Sequence, residues 1–376
     1  TLLCLVFGER NDLPPKRSEL YKEGLEVLMK KWDAKRNIER EQIYKHLSPQ
    51  NKEDMLGQIA FNTFIKGEYF FRQEDLQHQI KDYICNLPEA DGDPEVLRVD
   101  SEVVLKAIEH HHGLLVERAR NIYSFSHLTF QEYFTAREID RERKLEDLMQ
   151  HLTEPRWKEV FLLTAEMLRR SDDFLLMMKD RVDNMLAGDE KLQAFLLRTK
   201  QKADSVQTKY KPVALRVFYF GINPYLDLDF DIFPLDTPPL ELDISFSLLL
   251  NIDISLYPSR FHYLDRVIKA SKGELRQALQ VLKDKLPDSD IDGKVRSQWQ
   301  KNNGKVWNDE LNQLHIKYCN ALHGWHFTEG QVKLLEKYHD ANHLLVQCMN
   351  RSYASKQVRE EIEATLLLPV GSGTTL

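Results

Sequence analysis

Tyr123-Ser124-Phe125-Ser126-His127-Leu128-Thr129-Phe130-Gln131-Glu132-Tyr133-Phe134 runs from an alternating, strand-like start into helical spacing. Working outward, residues 113–119 and 121–125 read as two short strands joined at Arg120-Asn121, and residues 129–139 read as a helix. Phe125, Leu128, Phe130 and Phe134 are apolar, so the run is expected to pack firmly. His127 stands where strand becomes helix, and its ring is free to point away from the core. An imidazole in that place can donate to a phosphate, with help from the positive end of the helix. The plainer alternative is a histidine that caps a helix in a packed corner.

Upstream, Leu20, Tyr21, Leu25, Leu28 and Trp32 recur at helical spacing, with Ser18 as the expected N-cap. Ser48-Pro49 opens a second helix whose apolar face is Met55, Ile59, Ala60, Phe61 and Phe64, and Gly67 ends it. Residues 69–72 form an aromatic run suited to a strand, and helices are expected at 73–87 and 101–111, the latter closed by Gly113. Helices beside a small hairpin are the pattern of a winged helix. Such domains often bind DNA. Here the two candidate recognition helices carry Glu74, Asp75, Asp82, Glu102 and Glu109, which would repel phosphates, so a protein-interaction role is favoured.

Downstream the expectation is mainly α. Residues 141–202 are helical, with Thr153-Glu154-Pro155 as a break. In residues 213–260, Asp227, Asp229 and Asp231 alternate with apolar residues while Pro224, Pro234, Pro238, Pro239 and Pro258 interrupt, which marks an irregular segment. Helices return at 264–270, 274–286, 299–317, 328–349 and 357–368. The expected division is 1–17 as the end of a preceding helical domain, 18–140 as the winged helix and 141–212 as a helical domain. Residues 213–260 are the irregular segment, 261–370 a C-terminal helical domain and 371–376 a tail.

With 42% hydrophobic and 30% charged residues among 376, the balance is that of a folded chain. A net charge of −7 argues against a general affinity for nucleic acid or anionic lipid. Cys4, Cys85, Cys319 and Cys348 are too scattered for a disulfide framework and read as reduced thiols in a cytoplasmic protein. No apolar stretch reaches the roughly 20 residues that cross a bilayer.

The run 123–134 resembles the winged-helix motif of NACHT proteins, the class that includes the animal NOD-like receptors. They carry a Phe-x-His-x-x-Phe-Gln-Glu-Phe-like sequence there. Phe125, His127, Phe130, Gln131, Glu132 and Phe134 match it, with Tyr133 between. Glu154-Pro155-Arg156-Trp157-Lys158 onward resembles the start of the family's next helical domain, and residues 1–7 its last helix before the winged helix. Residues 261–369, with Trp299, Trp307, Trp325 and Leu366-Leu367-Leu368-Pro369, resemble the helical C-terminal domain of cyanobacterial-type NACHT proteins.

The resemblance implies a signalling NTPase of the STAND class acting in bacterial defence or stress. In it His127 reaches the β-phosphate of bound ADP and holds a closed state. It further implies ADP or ATP with Mg²⁺ as cofactors of the intact protein, an upstream NACHT core as partner, homo-oligomerisation on activation, and a ligand or protein trigger. A GxxxxGK[ST] loop is the departure: Gly293-Lys294-Val295 and Gly304-Lys305-Val306 lack its hydroxyl and leading glycine, and Gly371-Ser372-Gly373-Thr374-Thr375 lacks its lysine. The hydrolytic residues are therefore expected upstream of Thr1, and this chain alone is not expected to be an enzyme. The competing expectation is a nucleotide-independent helical interaction scaffold.

Other constellations read as structural. Three consecutive helical residues, His110-His111-His112, diverge by about 100° each and do not converge on one ion. Cys319, His323 and His326 lack an evident fourth zinc ligand, and Asp227, Asp229 and Asp231 lack the glycine and glutamate of a calcium loop. Trp299, Trp307 and Trp325 read as packing residues.

Overall fold

The computed structural model describes residues 13–35, 47–87, 94–204, 211–221, 264–265, 268–269, 271, 273–287, 293–319 and 325–371. Among the described residues helices dominate, beside one three-stranded antiparallel sheet in the order β1-β3-β2. The chain divides into two compact units, Thr1–Lys179 with His343–Arg359, and Asp180–Asn342 with Glu360–Leu376.

The first unit contains α1 (Arg17–Lys35), α2 (Pro49–Ile65), β1 (Phe71–Arg72), α3 (Gln73–Cys85) and α4 (Pro94–Ala107). A π-turn at Ile108–His112 extends α4 before β2 (Leu115–Ala119), β3 (Ile122–Phe125) and α5 (Leu128–Glu142). This is the order predicted for a winged helix. The local signals act as read. Ser48 Oγ accepts from Asn51 N–H at 3.0 Å, and Pro49 begins α2 without losing a hydrogen bond. At the far end Gly67 sits at φ 71°, so that its N–H reaches Phe64 O and Glu68 N–H reaches Thr63 O. Gly113 likewise takes the left-handed turn after the π-helix. The strand predicted at 69–72 shrinks to Phe71–Arg72, pairing with Tyr123 and Ile122. The β2–β3 register bulges between Glu117 and Ala119.

Three expectations are corrected here. The first helix starts at Arg17, so Ser18 lies inside it rather than capping it; its backbone N–H donates to Glu166 Oε2 at 2.9 Å. Leu128 is 47% exposed, whereas Phe125, Phe130 and Phe134 are buried. Two residues turn a helix by about 200°, so Leu128 and Phe130 cannot both face inward. Residues 213–221, read as the start of an irregular segment, belong to a helix, Pro212–Gly221. Leu215 and Tyr219 are both buried one helical turn apart, a period the nearby prolines obscure.

The first unit continues with α6 (Leu145–Met149), a 3₁₀ turn at Pro155–Trp157 and α7 (Lys158–Met167). α8 (Asp172–Asn184) begins at the end of this unit, and Asp172 Oδ1 accepts from Ser355 N–H at 2.7 Å. The second unit holds α9 (Glu190–Asp204), α10 (Pro212–Gly221), α11 (Gly273–Asp284) and α12 (Gly293–Cys319), with the first part of α13 (Glu329–Arg351) and the end of α14 (Lys356–Thr365). Phe220 packs between Phe195, Tyr338 and His339. Buried Arg216 donates to Glu363 O, Ala364 O and Leu366 O, which satisfies the orphan carbonyls at the end of α14.

The tryptophans part company within this unit. Trp307 is buried in the α11–α12 cluster with Leu264, Leu275, Leu279 and Leu311, and Nε1 donates to Leu282 O at 2.8 Å. Trp299 packs against the same cluster, whereas Trp325 contacts Phe195 and Phe327. The run at 1–7, the alternating Asp227–Asp231 stretch, His323, and residues 372–376 lie outside the described residues, as do the side chains of Cys319, His111 and His112. No described helix is long and apolar enough to cross a membrane.

Candidate functional site

The strand-to-helix turn is held from both sides. Ser126 N–H donates to Leu114 O at 2.9 Å, and Arg118, the residue skipped by the β2–β3 register, reaches back across it. Its Nε donates to Ser124 Oγ at 3.0 Å and its Nη2 to Ser126 O at 2.9 Å. The guanidinium is thereby held beside the residue that precedes His127.

His127 takes the N-cap position of α5 with extended backbone, φ −135° and ψ 142°, and Phe130 N–H bonds to its carbonyl. Its side chain caps nothing. The imidazole is exposed, lies edge-on to Phe130 at 6.1 Å, and has no hydrogen-bond or ion-pair partner among the described residues. The first turn of α5 contains no acidic residue, so the positive end of the helix is not neutralised locally. The exposed His127 and the Arg118 guanidinium held at Ser124 and Ser126 thus both lie at this helix start, a placement that suits an anion.

The rest of the motif faces inward. Gln131, Thr135 and Glu138 are buried at i, i+4 and i+7, a polar stripe along the face of α5 that lies on α2. Gln131 Nε2 donates to Thr63 Oγ1 and to Glu68 O, both at 2.9 Å. Thr63 in turn donates to Ile59 O at 2.8 Å. Glu138 accepts from Arg141 and Lys144, and a Cβ added to Gly57 would lie 3.3 Å from its Oε2. A side chain at position 57 would press on the Glu138 carboxylate, which would have to shift by a few tenths of an ångström. Arg137 binds Glu53 and Asp54 at 2.9 and 2.6 Å. Together these contacts fix how far α5 can slide or roll on α2, and hence where His127 stands.

Glu132 and Tyr133 point to the other side, toward α1 and α7. Tyr133 packs edge-on to Tyr21 at 5.8 Å, and burial drives its phenol upward. Burial, with Glu159 nearby, pushes the Glu132 carboxyl up to about 7, against the pull of Arg17.

A second anchor follows the motif. Arg156 donates to Phe64 O and Ile65 O at the end of α2, lying over the Phe64 and Trp157 rings at 5.4 and 5.2 Å. His151 stacks on Trp157 at 4.1 Å and bonds Glu154 at 2.7 Å. Sequence reading placed a helical start here but assigned no role to Arg156 or His151. The i, i+4, i+7 polar spacing of Gln131, Thr135 and Glu138 was the available signal for the buried stripe.

His110, one of the three consecutive histidines, is exposed. Glu74, Asp75, Asp82 and Glu102 are also exposed, whereas Glu109 is tied to Lys106 and Tyr123.

Comparison with known families gives two matches. Residues 17–139 match the family model described as "Winged helix-turn-helix domain C-terminal to NACHT". Residues 275–369 match the one described as "NACHT C-terminal Helical domain 2". Searches of curated proteins and of solved structures returned no match.

Proposed function

We propose a nucleotide-sensing role from one premise: this chain is a C-terminal part of a NACHT-domain protein, carrying its winged helix and its C-terminal helical domain 2. The winged helix reports which nucleotide the upstream NACHT core holds. His127 donates to a phosphate of bound ADP and Arg118 lends positive charge beside it. Loss of that contact on exchange to ATP, held with Mg²⁺ in the core, releases the winged helix. Hydrolysis, where it occurs, belongs to the core.

The observation that carries this reading is an exposed, unengaged imidazole at the start of a helix whose first turn bears no acid. An exposed histidine in a packed motif that neither caps nor pairs is available to a ligand. The residues fit one wall of a phosphate site and not a whole one, which accords with a nucleotide shared with another domain. Release would permit homo-oligomerisation, and the helical regions would take the ligand or protein trigger, in cytoplasmic bacterial defence or stress signalling.

The test is ADP retention by the intact protein after gel filtration. His127→Ala is expected to lose bound ADP at least tenfold faster than the parent. Equal retention overturns the sensor role.

A second reading, a nucleotide-independent interaction scaffold, draws on exposed apolar side chains near this turn. Phe70 is 65% exposed, and Ile65, Tyr69 and Leu128 are also partly uncovered. It predicts that Phe70→Ser weakens partner capture while ADP retention is unchanged. The acidic face of α3 disfavours DNA, and a salt-dependent mobility shift of duplex DNA would reverse that.

A further inference from the structure

Glu132 is an acid on the inward face of α5, and the cation that attracts it, Arg17, is hydrogen-bonded to Glu159 instead. It is 9% exposed on α5, between α1 and α7, and its carboxyl has no hydrogen-bond or ion-pair partner among the described residues. Burying an ionised carboxylate without such partners is costly, and the group responds by holding its proton.

Its surroundings explain why the proton matters to α1 in particular. From α1, Arg17 donates to Glu159 Oε1 at 2.8 Å, so the guanidinium that attracts Glu132 is already engaged. From α7, Glu159 adds a like charge. Glu166, also on α7, accepts from Ser18 N–H and faces Arg351 at 3.6 Å. Tyr21 of α1 packs edge-on to Tyr133 of α5. From α2, the acids facing α5 are Glu53 and Asp54, and both are bound to Arg137. The α1 seat thus combines buried Leu25, packing on the Ile108–His112 turn, these polar keys and the Tyr21–Tyr133 contact, beside a carboxyl whose neutral form suits burial best.

We propose that Glu132 is a proton-operated latch for α1: uncharged, it lets α1 lie closed on α5 and α7, and ionised, it drives that seat open by desolvation and by repulsion from Glu159. The latch lies on the inward face of the same helix that presents His127 outward. It does not depend on the nucleotide reading, because every contact named here is between side chains and backbone of this chain. Its working range falls near neutrality, where Glu132 is pushed up to about 7.

Sign and size follow by linkage. The seated state binds the proton more tightly than the unseated state, in which the carboxyl returns to an ordinary value near 4.5. Seating is therefore fully supported below about pH 4.5, and that support declines as pH rises to about 7, then levels off. Between pH 6 and pH 8 the opening equilibrium should grow by about tenfold.

Hydrogen exchange of the full chain, followed by mass spectrometry at pH 6, 7 and 8 and normalised to intrinsic exchange rates, tests this. Wild-type peptides within residues 17–35 should lose about tenfold protection relative to peptides from α2. In Glu132→Gln the same peptides should keep their low-pH protection throughout. In Glu159→Gln, which removes the like charge and frees Arg17, the loss should persist with its midpoint moved to lower pH, a displacement that a merely structural Glu132 would not produce. Wild-type protection flat across this range, a Glu132→Gln profile parallel to wild type, or an unmoved Glu159→Gln midpoint would each overturn the latch. Should Glu132→Gln fail to fold, the Glu159→Gln midpoint still decides.

Discussion

The contact between α2 and α5 and the contact between α11 and α12 are both helix pairs with buried apolar faces, yet they are specified in different ways. α11 and α12 follow one another in the chain and meet through leucines and Trp307, whose Nε1 donates to Leu282 O inside their cluster. α2 and α5 are separated by the whole β1–β3 region and meet through a stripe of buried polar residues, with buried Phe64 and Phe134 on the two helices. A short hairpin needs little beyond two complementary apolar stripes, because its connection already limits the pairing. Helices brought together from distant sequence can pack in several offsets, and Gln131 on Thr63 and Glu138 over Gly57 select one. The lesson is that apolar area decides whether helices associate, and buried polar keys decide in which register.

The largest test of that contrast removes the shared ingredient. Phe134→Ala should cost about 3 to 5 kcal/mol in urea unfolding of the first unit, since the ring is wholly buried. A loss below about 1 kcal/mol would mean that the apolar layer is not what holds this pair together.

Next comes the polar key itself. Gln131→Leu removes the donor to Thr63 Oγ1 and to the Glu68 carbonyl and should cost about 1 to 3 kcal/mol, whereas Leu279→Met in the hairpin should cost less than about 1.5 kcal/mol. If the two changes act alike on hydrogen-exchange protection of their own helices, the distinction between keyed and unkeyed packing fails.

The pH dependence sharpens the same comparison. The first unit should lose on the order of 1 to 3 kcal/mol as pH rises from about 4.5 to 7, because folded Glu132 holds a proton that the unfolded chain gives up. Urea midpoints of wild type and Glu132→Gln, compared at pH 5 and pH 7.5, should converge at the lower pH and separate at the higher. Peptides from α11 and α12 serve as the control.

Smaller still is Ser48→Ala, expected to cost about 1 kcal/mol through loss of the α2 cap, read as a lower urea midpoint. The smallest effect on stability belongs to His127→Ala, within about 0.5 kcal/mol, since the ring is exposed and bonds to nothing described. That near-neutrality is what a ligand-facing residue on a keyed scaffold should show. A large stability loss would reassign His127 to packing.

Much of this was legible in the amino-acid order because the signals are local. Ser48-Pro49, Gly67, Gly113 and Arg120-Asn121 mark element ends through backbone chemistry that needs no distant partner. The same locality misled at Ser18, where a good capping residue lies one position inside α1 and its backbone serves Glu166 instead. It misled again at Leu128, grouped with Phe130 by polarity although helical rotation turns it outward.

Taken alone, the sequence determined the winged-helix element order, the mainly α class, the motif from Phe125 to Phe134 with its kinship to NACHT proteins, and the position of His127 at a helix start. All of these depend on residues a few places apart, whose geometry the peptide backbone dictates. Only the tertiary structure decided that His127 is exposed and has no partner among the described residues, that Arg118 reaches back to Ser126 beside it, that Gln131 bonds Thr63 and Glu138 lies over Gly57, and that Glu132 is buried with no ion-pair partner among the described residues. Those outcomes rest on groups far apart in the chain. Whether a polar side chain meets water, a partner or an apolar wall is set by what folding brings against it, and no local period encodes that.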